Sequence, residues 1–444
     1  MNLTFEDVRE MRERFLSSPK NVVAMNAASN NPITNVSLNR EYIAKYNHVF
    51  SHEIPSMKIT NQEHSGRCWI FAGLNVFRYR AAKNLNVDQF ELSQSYEMFW
   101  DKLEKANYFL ESIIKTSSEA LHSRVVSWLL QNLVGDGGQW GMFSNLVKKY
   151  GVVPKDVMKE SYNTSNSQIM NMLLKMKLRE DAMILREMHE DGKKANEIEK
   201  KKKEMLDEIY RILAINIGIP PEKFDYEYKD KDGTHHLIRD ITPQEFFEKY
   251  VKIDLDKTVS LINAPMSDKE YLKTYTVDFL GNVVGGKNVV YLNIDLESFK
   301  RIATTVVMDG NPTWFACDVG KMMEREKGIL DIDVFDFKNL YDVSFNFNKA
   351  QRLDYGDSLM THAMVLLGVD VFDGKPTKWK VENSWGDKNG KDGYFVMGDK
   401  WFDEYVYEIV VDESYLTDDM KNALKMKPVV LPPWDPMGSV ARVI

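Results

Sequence analysis

From Gln62 to Phe71 the chain reads Gln-Glu-His-Ser-Gly-Arg-Cys-Trp-Ile-Phe. No other run constrains the fold as much, because it sets a turn, a cysteine and a helix in immediate succession. Ile70, Phe71, Leu74 and Phe77 recur at helical spacing, which predicts an amphipathic helix with Cys68 in its first turn. Unpaired backbone N–H groups and the positive end of the helix dipole favour a thiolate there. A thiol so placed has its pKa lowered from about 8.5 to about 7.5 or below, and the thiolate is a nucleophile. A lone cysteine opening an apolar helix is also an ordinary small core residue. Cys68 by itself therefore leaves two readings open.

Two segments far downstream bear on the choice. One is Met360-Thr361-His362-Ala363-Met364-Val365-Leu366-Leu367-Gly368-Val369, and the other runs from Trp379 through Glu382-Asn383-Ser384-Trp385-Gly386. Both read as strands, joined by a turn around Asp373-Gly374-Lys375-Pro376, so a hairpin brings His362 and Asn383 to one end of a sheet. A thiol nucleophile needs an imidazole to take its proton and later deliver it, and a third group to fix the imidazole tautomer. His362 and Asn383 suit those two roles.

These residues carry a resemblance. Asn61-Gln62 through Cys68-Trp69, Tyr355-Gly356-Asp357-Ser358-Leu359-Met360-Thr361-His362, Asn383-Ser384-Trp385-Gly386 and the tail Leu431-Pro432-Pro433-Trp434-Asp435-Pro436-Met437-Gly438 resemble the bleomycin hydrolase and bacterial aminopeptidase C family, within the papain superfamily of cysteine peptidases. The match runs nearly end to end. It implies an α+β, papain-like fold of two lobes, one helical and one barrel-like, with a large helical insertion and extensions at both termini. It further implies that Cys68 is the nucleophile, His362 the general base and acid, Asn383 its orienting partner, and Gln62 an oxyanion donor beside the Cys68 N–H. Gln62 otherwise reads as a solvated loop residue. Trp385 reads either as core or as a shield over the Asn–His hydrogen bond. Gly137 and Gly138, in Gly135-Asp136-Gly137-Gly138-Gln139-Trp140, resemble the family's glycine-rich cleft wall and equally read as a tight turn. Ala441 is expected at the cleft, where the terminal carboxylate of relatives meets the substrate amine. This chain continues through Arg442-Val443-Ile444, so the resemblance leaves two outcomes: self-clipping near Ala441, or an altered arm that permits internal cleavage.

Composition sets bounds on the rest. The 444 residues are 43% hydrophobic and 28% charged with a net charge of −8, which suits a globular enzyme and opposes phosphate binding. The lysine run Lys200–Lys203 is flanked by Glu197, Glu199 and Glu204 and reads as a solvated helix face, so nucleic acid is not an expected partner. His235-His236 lacks further ligands at metal spacing, and neither metal nor cofactor is called for. No apolar run reaches membrane length, and two cysteines fit a reducing cytoplasm better than a disulfide framework. A binding or scaffold protein with vestigial peptidase residues is the alternative class, against which stands a full set of catalytic residue types. The expected partners are peptides, with the family implying a homohexamer.

The separation of Cys68 from His362 exceeds what two minimal lobes require. The expected division is an N-terminal extension at 1–50, beginning with a helix capped by Thr4, and a helical lobe at 51–160. A helical insertion follows at 161–250, with two long helices broken near Asp191-Gly192. A connecting segment occupies 251–345, a β lobe with His362 and Asn383 occupies 346–415, and an arm entering the cleft ends the chain at 416–444.

Overall fold

The computed structural model describes residues 2–441. Its centre is the helix Cys68–Leu85, lodged against a twelve-stranded sheet in an α+β arrangement. Six strands build the part of the sheet that holds the site. In spatial order they are Thr258–Ile262, Val406–Asp412, Thr313–Cys317, His362–Phe372, Lys375–Glu382 and Tyr394–Gly398, each antiparallel to the next. The strand Thr313–Cys317 is buried at every position, because both faces of the sheet are covered. Trp314 packs with Trp69, Phe77 and Phe143 on one face, while Phe315 packs with Phe299, Trp379 and Phe402 on the other. Successive residues point to opposite faces, as the two-residue period of a strand requires.

The hairpin predicted between His362 and Asn383 forms. Its loop is Asp373-Gly374, with φ of +51° and +76°, the two positive values of the turn that matches strand twist. The register sets Phe372 opposite Lys375 and Val365 opposite Glu382.

The helix carrying Cys68 differs from expectation. Ile70, Phe71, Leu74 and Phe77 are buried, but so are Trp69, Ala72, Gly73, Asn75 and Arg78. The helix is enclosed nearly all round, since the sheet covers one side and the helices Gln94–Lys115 and Trp140–Tyr150 cover another. Burial extends to charge. The Arg78 guanidinium meets the Glu382 carboxylate with both side chains nearly inaccessible, and the Tyr79 hydroxyl donates to the same carboxylate at 2.8 Å. This pair fastens the helix to the strand that leads into Asn383.

Two long helices, Gln168–Glu190 and Ala195–Ile217, meet at a turn where Gly192 has φ +69°. Leu174, Leu178 and Leu185 of the first and Met205, Ile209 and Leu213 of the second are buried, and both helices pack on Gln94–Lys115. At the N-terminus Thr4 caps the helix Phe5–Leu16 through a reciprocal bond with Asp7. That helix buries no residue, and Phe5 is 97% exposed. The N-terminal extension thus reaches the core only later, where Ser37 is buried and Leu38 bridges to Phe335.

Candidate active site

The turn Ser65-Gly66-Arg67 delivers Cys68 as the first residue of its helix. Arg67 is 1% exposed and holds Glu160 through two guanidinium bonds of 3.1 and 2.8 Å. The Gly66 N–H donates to Asp136 at 2.9 Å. Asp136 also accepts from the Lys102 ammonium at 2.6 Å, from Asn171 at 2.7 Å and from the Ser167 hydroxyl at 2.5 Å. Burial opposes its charge, but the Lys102 ammonium and these donors outweigh burial and hold its carboxyl well below the usual range. An acid inside a glycine run is therefore what anchors the loop before the cysteine.

On the sheet side His362 is the first residue of its strand, and Asn383 directly follows the strand Lys375–Glu382. The His362 Nε2 lies 2.9 Å from Asn383 Oδ1, which also accepts the Ser384 N–H at 2.8 Å. An amide oxygen only accepts, so Nε2 carries the proton and Nδ1 is left as the basic nitrogen. The Trp385 ring lies 4.8 Å from the imidazole, centroid to centroid, and the Arg325 guanidinium sits 4.7 Å from the Trp385 ring.

Gln62 links the two sides. Its N–H donates to the Ser384 carbonyl at 2.8 Å, and its side-chain oxygen accepts the Ser384 hydroxyl at 2.6 Å. One Nε2 hydrogen goes to the Ser65 carbonyl at 2.6 Å, which leaves the second free to donate. Gln62 is 7% exposed, so it is a fixed amide and not a solvated loop residue.

The electrostatics correct the expectation of a thiolate stabilised by the helix end alone. Burial pushes the Cys68 thiol up to about 11, against the opposing pull of the N–H groups of Ala363, Trp69 and Cys68 itself. Burial likewise pushes the His362 imidazole down to about 4, helped by the Arg325 charge and resisted by the bond to Asn383. Desolvation outweighs the helix terminus because each charge alone would lack a counter-ion. The Ala363 N–H that favours the thiolate belongs to the residue after His362, so thiol and imidazole stand at the same end of that strand. Charge separation between them is a joint event in which each ion supplies the other's partner.

Gly137 and Gly138 are both buried. A Cβ on Gly138 would land inside the Trp69 indole, and the Gly137 carbonyl accepts from the Lys105 ammonium at 2.6 Å. Close packing against Trp69, the residue after Cys68, thus explains Gly138. The C-terminal arm is seated alongside. Buried Lys269 pairs with Asp435 at 2.9 Å, Arg124 stacks on Trp434 at 3.5 Å, and the Met437 carbonyl accepts from Tyr291 at 3.0 Å and Gln139 at 3.3 Å. The Ser439 hydroxyl donates to the Met360 carbonyl at 2.7 Å, and the Ala441 carbonyl lies beside Gly135. The extra tail residues Arg442, Val443 and Ile444 lie outside the described residues.

The weaker sequence signals resolve simply. Lys201, Lys202 and Lys203 pair with Glu204, Glu111 and Glu199, and His235 and His236 pair with Glu227 and Asp230. Sequence reasoning passed over Asp136, Ser384 and Arg325. The first was signalled by a lone acid among glycines and the second by its place after Asn383. Arg325 comes from a loop with no signal.

The profile of the Peptidase C1-like family matches residues 2–438. Aminopeptidase C of Lactobacillus delbrueckii subsp. lactis is 45% identical over 99% of this chain and 98% of its own. Human bleomycin hydrolase is 42% identical, with 99% of each chain covered. The crystal structure of pepW from Lactobacillus rhamnosis HN001 is 47% identical and superposes with a TM-score of 0.97 over 98% of this chain and 99% of the other. With sequence and backbone course both matched nearly from end to end, the chain belongs to the Peptidase C1-like family.

Proposed function

We propose that this protein is a cysteine peptidase that removes residues from the free N-termini of peptides. The observation that carries the reading is the His362–Asn383 bond, which leaves the basic nitrogen of a buried imidazole at the strand end whose next N–H favours the Cys68 thiolate. Nδ1 of His362 takes the thiol proton as Sγ attacks the substrate carbonyl carbon. The oxyanion receives the Cys68 N–H and the spare Gln62 Nε2 hydrogen, donors that gain strength in a site as dry as this one. The imidazolium then protonates the departing amine, leaving a thioester. Water attacks the thioester with His362 again as base, which restores the thiol and releases the residue. Trp385 keeps water from the His362–Asn383 bond.

Removal from the N-terminus, as against internal cleavage, rests on the arm. Relatives at this level of identity are named aminopeptidase C, and the ion pair, stacking and carbonyl bonds from Asp435 to Ser439 fix the arm so that Ala441 reaches the glycine segment. A carboxylate carried there pairs with a substrate ammonium and closes the cleft to longer chains. Self-clipping near Ala441 provides that carboxylate. The alternative is an endopeptidase with an intact tail. Comparing one peptide with a free and with an acetylated N-terminus tests the reading, alongside intact-mass measurement of wild type and Cys68→Ala. Cleavage of the free form alone, with tail loss only in wild type, is expected. Equal cleavage of both peptides would overturn it.

The assembly reading is a homohexamer of cytoplasmic protein. Phe5, Val8 and Met11 lie exposed on a helix that buries nothing within its own chain, an apolar surface suited to a second copy. Two unpaired cysteines suit a reducing compartment. No helix among the described residues is long and apolar enough to cross a membrane.

A further inference from the structure

Beside the nucleophile loop opens a groove of about 680 Å³, with Ser65, Gly66 and Asp136 on one wall. The other wall is a single helix face, where Gln168, Asn171, Lys175 and Arg179 follow at three- and four-residue spacing. Two cations therefore face a space that begins two residues from Cys68. Neither is neutralised by an adjacent carboxylate. Arg179 Nε donates to the Leu130 carbonyl at 3.1 Å. The half-buried Lys175 has its pKa lowered, first by burial and then by Lys102, with Arg179 adding to the effect and Asp136 only partly opposing it. Asp136 has no capacity to spare, since Lys102, Ser167, Asn171 and the Gly66 N–H already occupy it. Besides Asp136, Glu63 at the rim is the other carboxylate among the groove residues, and it accepts from Asn61 at 2.6 Å.

The position of the groove relative to the arm says which part of a substrate enters it. Gly135 and Ala441 line one small pocket, and the next residue, Asp136, lines the groove. Gly66, two residues before Cys68, has no side chain to stand between a carbonyl held at Cys68 and this groove. We infer that this groove receives the side chain of the substrate's N-terminal residue, and that Lys175 and Arg179 make it favour an acidic side chain over a basic one. This rests on the aminopeptidase reading above.

The test compares kcat/KM for fluorogenic amides of Glu and of Lys, each with a free amine, in wild type, Lys175→Gln, Arg179→Gln and the double variant. The ratio of the two rates within one preparation is independent of how much protein folds. The Glu/Lys ratio is expected to fall roughly tenfold in the double variant, as loss of partly desolvated ion pairs implies, and to rise in Glu63→Gln. Lys200→Gln, on the far solvated helix face, serves as a charge control and leaves the ratio unchanged. An unchanged ratio in the double variant overturns the inference. If wild type releases no N-terminal residue from any free-amine substrate, the aminopeptidase reading is what has failed.

Discussion

Cys68 and Cys317 belong to the clusters on opposite faces of the sheet, close enough for Cys68 to raise the Cys317 thiol, yet the proposed mechanism uses only Cys68. Both are buried, at 5% and 0% exposure, and burial raises both thiols. Cys317 ends the strand next to His362 in the sheet, with Asp318 adding to the force against its ionisation. Cys68 opens a helix, where three backbone N–H groups favour its thiolate. Low exposure and nearness to the imidazole are common to the two. What differs is the set of donors around the sulfur, so on the proposed mechanism local hydrogen bonding is what separates Cys68 from Cys317.

The largest effects fall on that contrast. Cys68→Ala should lower peptide hydrolysis by at least about 10⁴-fold with the fold intact, because it removes the bond-forming atom. Cys317→Ala should do the reverse, keeping activity within a few-fold and costing about 1–2 kcal/mol in denaturant unfolding through a small cavity. Comparable activity losses in the two variants would erase the distinction.

Next comes the fastening of the helix to the sheet. Arg78→Met leaves Glu382 as an uncompensated buried charge and should destabilise the fold by ~3–5 kcal/mol. The double variant Arg78→Met with Glu382→Leu should recover much of that loss in the same unfolding assay. If the single variant unfolds like wild type, the pair is not what holds Cys68 to the His362 side.

Gln62→Ala sharpens the comparison from the donor side, since Cys317 has no counterpart to this amide. A loss of about 10²–10³-fold in kcat is expected, with little change in KM. Asn383→Ala should cost less, about 10²-fold at most, because it releases the imidazole without removing a reacting group. A loss for Asn383→Ala greater than for Gln62→Ala would reverse the assigned roles.

A smaller signal is expected in stability against pH. The unfolded imidazole takes up a proton near pH 6.5, whereas folded His362 does so only at about 4. The unfolded state therefore binds more protons between those values, and stability falls as pH drops through that window, by up to about 3 kcal/mol from this group. At the alkaline end the unfolded Cys68 thiol ionises near pH 9 and the folded one at about 11, so stability declines again as pH rises between them. Unfolding curves at pH 4.5, 7 and 10 check both limbs.

The hairpin was legible in the sequence because Asp373-Gly374 is a strong turn signal between two apolar runs, and the two long helices because their apolar spacing persists through more than twenty residues each. The candidate catalytic residues Cys68, His362 and Asn383 stood out through their local motifs. The enclosure of the helix Cys68–Leu85 was not, since Asn75 and Arg78 are polar letters whose burial depends on partners distant in the chain, Thr60 and Glu382. The same limit hid the thiol's environment: helix position is a local property, while desolvation depends on everything packed around it. Asp136 shows the limit from another direction, because a glycine run suggests an open wall and conceals a four-donor anchor.

The contrast between the two cysteines is tested most directly by alkylation of native wild-type protein with iodoacetamide from pH 5 to 9, followed by mass spectrometry of each cysteine. If His362 takes the Cys68 proton internally, Cys68 should label at a nearly constant rate across this range and in step with loss of activity, while Cys317 stays unmodified until the protein unfolds. Labelling of Cys68 that climbs only near pH 8.5, as for an isolated thiol, or equal labelling of Cys317 in the folded protein, would contradict the account.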